Sequence, residues 1–474
     1  MTTMTGAVAL AVLCGGASAS QLIGTDPVKS CLWPGASTLT TAACFAPGTS
    51  GEYMEAFWNE FLLRQGIDPL ADFNVTSRWN GNSLQGTPIT VTYSFPADGL
   101  GGIGGGQTSV NVLNSMMATW FGSVQNGKNL FRLMFDRWEA LSGARYLEVN
   151  DDNAAWGAGG GTTRGDIRIV SITIDGGGNT LAFNSFPNNG DMVIDSSENY
   201  SSSGNNFRFF RNVVAHENGH GMGILHVCPQ NGSKLMEPAA NTNFDGPQHD
   251  DTRAMQRHYG DTLENNNNAA EATVIPTLTL GTPFIQRDVS IDNQVANANL
   301  DIDWYRFTLP SAAELNVQLQ PVGFQYQSTS QSGQSCPTGS NIDSKAILNL
   351  RFEILASDGV TVLASVDNET FGVNENLTAF PMPAGVFYLM VRAGDTAQGS
   401  LPPQMYQFLV NAIAVQTPCP GDANGDGVVN FSDLNIVLGQ FGQTGPGLAG
   451  DLDGNGSVNF TDLNLVLSNF GITC

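Results

Sequence analysis

Eleven residues near the middle of the chain place three histidines and a glutamate at spacings that suit a metal site. The segment is HENGHGMGILH, residues 216–226. Residues four apart lie on one face of a helix, so His216 and His220 can bind the same metal ion. Gly223 permits a backbone turn that ends the helix and returns His226 as a third ligand.

The donor set of this segment predicts the metal and its chemistry. Three neutral imidazoles suit zinc and leave a fourth position open to a water molecule, whose pKa zinc lowers to about 7. Glu217 follows the first ligand and is placed to take a proton from that water and pass it to a leaving amine. The segment therefore predicts one catalytic zinc, with His216, His220 and His226 as ligands and Glu217 as the base. Iron or manganese stays open as an alternative, because three imidazoles alone do not exclude either metal.

Composition and charge narrow the class of protein. Of the 474 residues, 41% are hydrophobic and 13% charged, which predicts several globular domains and excludes a disordered polyelectrolyte. The formal net charge is -24. Such a surface repels nucleic-acid phosphates, so we expect no nucleic-acid partner. The same carboxylates favour calcium binding.

The N-terminus indicates secretion. Residues 6–14 form an apolar run too short to span a bilayer, and the small residues Ala17 and Ala19 follow at the spacing of a cleavage site. We therefore predict a signal peptide over residues 1–19 and a secreted or extracellular protein, with attachment to a cell surface as an option. No later apolar run reaches about 18 residues, so we expect no membrane insertion. We also expect a monomer.

The cysteines predict disulfides in an oxidising compartment. Seven are present, one of them inside the predicted signal peptide, so an even number remains. Their positions favour two pairs, Cys31 with Cys44 and Cys419 with Cys474. The pairing of the two others, at positions 228 and 336, stays open, because several connectivities are possible.

The chain divides by composition and periodicity into several regions. A lead-in or propeptide covers residues 20–75, with a helical stretch near 53–64. Residues 76–261 mix strand-like runs with amphipathic helical runs over 109–124, 128–142 and 207–222, which predicts an α/β (α+β) domain. A polar linker over 262–272 precedes residues 273–416, whose period-two alternation predicts an all-β sandwich. Residues 417–474 form a last, small unit.

The last unit contains a tandem repeat of acidic loops, each followed by an apolar helix. Each loop has oxygen-bearing side chains at positions 1, 3, 5 and 12, glycine at position 6 and a backbone carbonyl at position 7, as an EF-hand-like calcium loop requires. We therefore predict two calcium ions here. The first loop supplies Asp422, Asn424, Asp426, Val428 and Asp433. The second supplies Asp451, Asp453, Asn455, Ser457 and Asp462.

Residues 76–261 resemble the metzincin zinc proteases and, within them, the matrixins. The zinc segment carries most of this resemblance, and SKLMEP at 233–238 resembles the methionine turn beneath the zinc, which makes Met236 the structural methionine. DDTRAMQRHYG at 250–260 resembles the family's last helix. Val193 stands where vertebrate matrixins place a histidine for a second zinc, so we expect one zinc only. The cysteine-switch motif PRCGxPD is absent from the sequence.

The matrixin resemblance also implies a structural calcium in the same domain. Residues 175–182 and 190–198 resemble the family's calcium loop and edge strand. By that likeness the side-chain ligands are Asp175, Asp195 and Glu198, and the carbonyl ligands are Gly176, Gly178 and Thr180. Asn218 departs from the family's apolar residue, and we expect it on an exposed helix face. His249 and His258 are expected to be exposed or helix-capping, not metal ligands.

The two accessory regions resemble known modules. The aspartate at position 12 of both acidic loops and the tandem arrangement resemble dockerin domains, which implies a cohesin-type scaffold partner. The segments 301–307 and 384–388 resemble the pre-peptidase C-terminal domain of secreted bacterial proteases, which implies substrate binding or a role in secretion for the sandwich.

Two functions from different classes follow. The first is a secreted zinc endopeptidase that hydrolyses protein or peptide substrates and is tethered through the dockerin-like module. The second is a calcium-dependent adhesion or scaffold-attached protein with an inactive protease domain. The intact Glu217 favours the first.

Overall fold

The computed structural model describes residues 41–47, 49, 75–81, 83–103, 109–158, 163–227, 232–292, 301–328, 340–393, 403–415 and 419–474. The predicted signal peptide, the predicted helix near 53–64, and Cys31, Cys228 and Cys336 lie outside these residues. None of the helices in the described ranges has the length and apolarity that crossing a membrane requires.

The N-terminal part of the described chain is built on a six-stranded mixed sheet. Its strands are β1 (Thr41–Phe45), β2 (Ile89–Ser94), β3 (Ala144–Glu148), β4 (Ile167–Ile172), β5 (Thr180–Ser185) and β6 (Met192–Asp195). They are ordered β1-β5-β6-β4-β2-β3, with β3, β2, β4 and β6 parallel. Strand β5 is antiparallel to β6, and β1 is antiparallel to β5. The lead-in was not predicted to contain a strand of this sheet.

Four helices pack with this sheet and complete the mixed α/β unit that the sequence predicts. They are α1 (Leu113–Phe121), α2 (Val124–Glu139), α3 (Arg208–Gly221) and α4 (His249–Tyr259). The first three begin and end within a few residues of the predicted helical runs. Ser123 caps α2, since its Oγ accepts a hydrogen bond of 3.1 Å from the backbone N–H of Asn126. Trp138, Phe131 and Phe210 are fully buried in the shared core.

The described chain after α4 contains eleven strands: β7 (Thr273–Val274), β8 (Phe284–Ile291), β9 (Asp303–Leu309), β10 (Ala313–Pro321), β11 (Gln325–Ser328), β12 (Ser340–Asp343), β13 (Leu350–Leu355), β14 (Val362–Val366), β15 (Glu375–Met382), β16 (Gly385–Ala393) and β17 (Gln404–Ala414). Most of them form two sheets, largely antiparallel, that enclose a second hydrophobic core. One sheet has the order β15-β10-β17-β8 and the other β14-β13-β16-β9-β7, in which β7 runs parallel to β9. Strands β11 and β12 form a separate pair. The alternation of buried and less buried residues along β10 is the period-two pattern on which the prediction of a sandwich was based.

Helix α4 joins the two cores. Arg253 is fully buried, and its guanidinium donates to the Pro403 carbonyl at 3.0 Å and to the Tyr326 hydroxyl at 2.7 Å. Gln256 donates to the carbonyl of Asp288 at 3.0 Å. A helix so rich in polar residues is buried because the sandwich satisfies the polar groups on its outer side.

The segment predicted as a polar linker packs against the sandwich. Asn266 is 1% exposed, and its carbonyl accepts a 2.9 Å hydrogen bond from the N–H of Trp304 at the start of β9. Asn267 Oδ1 accepts a 3.1 Å hydrogen bond from the N–H of Ile302, just before β9. The segment is therefore hydrogen-bonded to the sandwich and is not a free linker.

The C-terminal residues contain two short helices, α5 (Phe431–Gln440) and α6 (Phe460–Ser468), each preceded by an acidic loop. Their small core includes Val437 and Val466. The predicted disulfide between Cys419 and Cys474 is formed, with 5.7 Å between the Cα atoms.

Removal of this disulfide by Cys419→Ser with Cys474→Ser should destabilise the C-terminal residues. The bridge closes a loop with a sequence separation of 55 residues. On the chain-entropy estimate, a loop of this size contributes about 4 kcal/mol. Hydrogen–deuterium exchange in the full chain should therefore speed up in α5 and α6 and stay unchanged in α2. Unchanged exchange in α5 and α6 would contradict this estimate.

Candidate metal centre and active site

Helix α3 carries the first two histidines of the candidate metal centre and buries them. His216, Glu217 and His220 are each at most 1% exposed. Gly219, between them, lets Met236 approach the helix, because a Cβ at Gly219 would lie 2.6 Å from the Met236 sulfur. The methionine predicted from the matrixin resemblance therefore lies directly against the turn of helix that carries both histidines.

The chain reverses after α3 and brings the third histidine back. Gly223 has a φ of +94°, and a Cβ there would lie 2.1 Å from the Ser77 carbonyl oxygen, so this position requires glycine. His226 returns with its Nε2 3.0 Å from the Nε2 of His216 and 3.1 Å from that of His220. The structure thus brings the three predicted ligands together.

Backbone carbonyls orient two of these imidazoles. The Nδ1 of His216 lies 2.7 Å from the Leu235 carbonyl oxygen, and the Nδ1 of His220 lies 2.7 Å from that of Ile224. A carbonyl only accepts hydrogen bonds, so each Nδ1 is the protonated nitrogen and each Nε2 presents a lone pair. Lone pairs that converge at about 3 Å repel one another unless a cation lies between them. The donor set and its orientation therefore fit a zinc ion.

Burial keeps these imidazoles neutral, which is the state that binds a metal. Loss of solvent lowers the pKa of His216 to about 4. Burial, followed by the charge of neighbouring histidines, lowers the pKa of His220 and His226 well below the ordinary value.

Glu217 lies next to the first histidine on α3 and is fully buried. Its Oε1 accepts a 3.0 Å hydrogen bond from the backbone N–H of Cys44 in β1. Its Oε2 is buried and has no hydrogen-bond partner among the described residues. Burial raises the pKa of Glu217 well above its usual range, and the Cys44 N–H opposes that rise. A carboxylate beside a metal site, within reach of a backbone amide, can move a proton between water and an amine.

Helix α4 holds the methionine turn in place through hydrogen bonds. The Asp251 carboxylate accepts hydrogen bonds from the backbone N–H of Leu235 at 2.9 Å, of Met236 at 3.1 Å and of Gln248 at 2.8 Å. Leu235 is also the residue whose carbonyl orients His216. Asp251 therefore connects α4 to the metal centre through the backbone of the turn.

Two expectations about polar residues near the site were wrong. Asn218 is buried, and its amide donates a 2.7 Å hydrogen bond to the Tyr146 hydroxyl, which explains the polar residue at this position. His258 is 3% exposed and lies beneath the turn, with its Nε2 3.4 Å from the Gly223 carbonyl oxygen. Helix α4 is mostly polar in sequence, so no local pattern indicated that His258 is buried.

The residues predicted as calcium ligands in this domain lie around one loop. Burial and then the nearby carboxylates of Asp195 and Asp175 raise the pKa of Glu198. The Thr180 N–H donates to Asp175 at 3.3 Å, and the Gly178 N–H donates to Glu198. Gly176 also belongs to this loop, with a φ of +89°. Three acidic side chains are thus gathered where the matrixin resemblance placed them, and their metal binding stays a prediction.

The two C-terminal loops have matching internal hydrogen bonds. At position 12, Asp433 accepts from the backbone N–H groups of residues 423, 424 and 430, and Asp462 from those of residues 452, 453 and 459. Asp451, Asp453 and Asp462 place one carboxylate oxygen each within 4.8 Å of one another. The remaining predicted ligands lie in the same loops, at Asp422, Asn424, Asp426, Val428, Asn455 and Ser457.

Another acidic group was not predicted from the sequence. Glu264, Asp301 and Asp303 place carboxylate oxygens within 4.8 Å of one another at the start of the sandwich. Burial raises the pKa of Asp303 well above its usual range, and the neighbouring acids raise it further. Asp301 and Asp303 are neighbours in sequence, but Glu264 lies far before them in the segment predicted as a linker, so no local motif marked the group.

The prediction that Cys31 and Cys44 form a disulfide is wrong, because Cys44 is not disulfide-bonded. Cys44 is a free, fully buried thiol. Its Sγ, a ring nitrogen of His216 and an oxygen of Glu217 lie within 4.8 Å of one another. The cysteine lies in a strand beside the metal centre, and the sequence offered only its residue type as a signal.

Comparison with known proteins agrees with this geometry. Residues 117–260 match the matrixin peptidase family. The hatching enzyme of Paracentrotus lividus is 34% identical over 119 residues, which are 23% of this chain and 18% of the enzyme. The chain thus spans less than a fifth of that relative's length. These likenesses support a metalloprotease, and a matrixin match implies a catalytic zinc.

Two solved structures resemble other parts of the chain. A type II cohesin–dockerin domain structure from Bacteroides cellolosolvens is 34% identical and covers 12% of this chain and 95% of its own, with a TM-score of 0.11. The pre-peptidase C-terminal domain of a Bacillus anthracis collagenase is 15% identical and covers 30% of this chain and 94% of its own, with a TM-score of 0.18. At these TM-scores neither likeness carries an argument.

Replacement of Asp251 by asparagine should destabilise the methionine turn. Both carboxylate oxygens accept backbone N–H groups, and an amide would turn an NH2 group toward one of them. We expect a loss of about 1–3 kcal/mol in the free energy of unfolding, measured as a lower urea midpoint of the full chain. The matched control is Asp288→Asn, at an exposed position that tolerates asparagine at positive φ. Equal midpoints for the two variants would contradict the role of Asp251.

Proposed function

We propose that this chain is a secreted zinc-dependent endopeptidase that hydrolyses protein or peptide substrates. The convergence of three imidazole nitrogens within about 3 Å, beside a buried glutamate that already accepts a backbone amide hydrogen, carries the proposal. His216, His220 and His226 would hold the ion, and Glu217 would be the general base.

Each residue of the site has a separate role in the proposed hydrolysis. A bound zinc ion would acidify water and polarise the carbonyl that is attacked. Glu217 accepts the proton of the attacking water at a carboxylate oxygen and delivers it to the nitrogen of the leaving amine, which is the kind of atom that its Oε1 contacts. Leu235 and Ile224 keep two imidazoles in the tautomer that presents Nε2. Met236 fixes the position of the helix that carries them.

The accessory regions would determine where the enzyme is attached. We propose that the C-terminal loops bind two calcium ions and dock onto a cohesin-type scaffold, and that the loop around Asp175, Asp195 and Glu198 binds one more calcium. The repeated loops and the matching hydrogen bonds of Asp433 and Asp462 support calcium binding. Attachment to a scaffold or cell surface rests on the dockerin resemblance in the sequence alone.

An adhesion protein with an inactive protease domain is the competing function. In a protein with an inactive protease domain, the residue at the position of the base would need neither burial nor a fixed hydrogen-bond partner. Instead Glu217 is buried, places a carboxylate oxygen within 4.8 Å of a ring nitrogen of His216 and accepts an amide hydrogen. This arrangement favours the peptidase.

Glu217→Gln should abolish proteolysis while zinc stays bound. The variant keeps the shape of the site but cannot accept a proton, so casein hydrolysis by the metal-loaded chain should fall by a factor of roughly 10² to 10⁴. Zinc content by atomic emission should stay at one ion per chain, because the imidazoles are unchanged. In the wild type, 1,10-phenanthroline should remove both zinc and activity.

The control for this experiment is Glu369→Gln, the same change at an exposed position of the sandwich. It should hydrolyse casein at the wild-type rate. Undiminished hydrolysis by Glu217→Gln would exclude Glu217 as the base. A wild type that binds zinc but cleaves no denatured protein would favour the adhesion function.

Asp453→Ala should remove one calcium ion from the full chain. The change takes away the ligand at position 3 of the second loop and leaves the first loop intact. Calorimetric titration should then detect one site fewer than in the wild type. An unchanged number of sites would contradict the assignment of the second loop.

A further inference from the structure

A buried lysine of the methionine turn has no part in the proposed hydrolysis. Lys234 directly precedes Leu235, whose carbonyl orients His216, and it is 2% exposed. A lysine is almost never buried unless its charge is paired, because loss of water disfavours the ammonium. The groups that surround this ammonium therefore show what the residue connects.

Helix α4 supplies the opposite charge. The Nζ of Lys234 lies 3.5 Å from the Oδ2 of Asp250, and both side chains are buried. Asp250 is adjacent to Asp251, whose carboxylate accepts backbone N–H groups of the same turn. Two neighbouring acids of α4 thus hold the methionine turn, one through its backbone and one through the Lys234 side chain.

Strand β11, in the sandwich region, supplies two further contacts of the ammonium. The Nζ donates to the backbone carbonyl of Gln327 at 3.2 Å and lies 4.2 Å from the centre of the Tyr326 ring. A carbonyl oxygen and an aromatic face both attract a cation, and the attraction of the ring is stronger where water is excluded. Through the Lys234 side chain the turn therefore contacts β11 directly, without α4 as an intermediate.

We infer that Lys234 is a positioning residue for the metal centre and that β11 acts on the centre through it. The route is short. It runs from the Lys234 ammonium through the backbone of the turn to the Leu235 carbonyl, which lies 2.7 Å from the Nδ1 of His216. This inference rests on the proposed zinc site and assigns part of its affinity to the sandwich region.

The expected effect on metal binding follows from the repulsion among the three imidazoles. Without an ion, their lone pairs favour rotation of the rings away from one another. The Leu235 carbonyl opposes that rotation at His216 only as far as the turn itself is held in place. Groups that orient a metal ligand typically contribute a factor of roughly 10 to 100 to metal affinity. Lys234 acts one step further from the metal, so we expect a contribution of about tenfold.

The charge of Lys234 can be removed with little change of shape. Methionine is also long and unbranched, so Lys234→Met keeps an apolar stem and loses the ammonium. The single change removes the positive charge that faces the buried Asp250 carboxylate, which is destabilising by itself. The double variant Lys234→Met with Asp250→Asn removes both charges. It carries the test even where the single variant fails to fold.

The test measures the zinc dissociation constant of the full chain by competition with a chromogenic chelator. The double variant should bind zinc about tenfold more weakly than the wild type. The matched control is Lys128→Met, which removes an ammonium that lies 3.2 Å from Glu148 and joins α2 to β3. It should bind zinc as tightly as the wild type. Wild-type affinity in the double variant would overturn the inference.

Two substitutions at Tyr326 test the contribution of β11. Tyr326→Leu removes the ring beside the ammonium and should weaken zinc binding roughly threefold. Tyr326→Phe keeps the ring and should keep the wild-type affinity, because Arg253 loses the tyrosine hydroxyl but retains the Pro403 carbonyl. Tyr326→Leu added to the double variant should cause no further loss, since both changes remove the same contact. Equal effects of leucine and phenylalanine, or fully additive losses, would overturn the inference.

The visible spectrum of the cobalt-loaded chain separates a change in ligand position from a less stable fold. At saturating cobalt, the double variant should show shifted or weaker ligand-field bands, because the His216 ring is less constrained. Lys128→Met should show the wild-type bands. Weaker metal binding with an unchanged spectrum would mean that only the fold was destabilised, and it would overturn the inference.

The wild type separates this inference from the proposed function. Tight zinc binding that is equal in the wild type and in all variants would overturn the inference and leave the zinc site standing. A wild type that binds no zinc would overturn both.

Discussion

The structure depends on forcing three uncharged imidazoles to point their lone pairs at one place. Such an arrangement is repulsive by itself, so the surrounding chain must prevent the rings from turning away. Carbonyls of Leu235 and Ile224 fix two of the rings, and the tight turn at Gly223 returns the third. Each of these groups belongs to backbone that is itself held by other contacts. The metal centre is therefore stabilised by the way the polypeptide is folded around α3, more than by any single side chain.

The sandwich contributes to the same support. Asp251 holds the backbone of the methionine turn, and it stands on α4, whose Arg253 is hydrogen-bonded to the sandwich. Buried arginine is stable only where its donors are satisfied, so α4 as it is folded needs the neighbouring sheet. A continuous set of hydrogen bonds thus runs from the sandwich through α4 to the carbonyl that orients His216. In this chain the sandwich is a structural neighbour of the candidate metal centre's domain and not only an appended module.

Local spacing accounts for what could be predicted. The three histidines lie within eleven residues, so helix geometry alone brings two together and one glycine permits the third. The strands of the sandwich could be predicted because one face of each is buried, which produces a period-two pattern in the sequence. What could not be predicted depends on distant partners. Asn218 is tolerated in the interior because Tyr146 accepts its amide hydrogen, and His258 is buried beneath the turn at Gly223. The position of Cys44 depends on β5, more than a hundred residues away, and no local pattern contains that information.

The position of β1 follows from the topology of the sheet. Strand β5 is antiparallel to its neighbour and would form the edge of the sheet if β1 were absent. An open edge presents unpaired N–H and C=O groups that will pair with any extended segment within reach. In this chain β1 pairs with that edge, and the N–H of Cys44 in β1 donates to Glu217 Oε1. The pairing that covers the edge therefore also places a backbone N–H against the buried glutamate beside the metal centre.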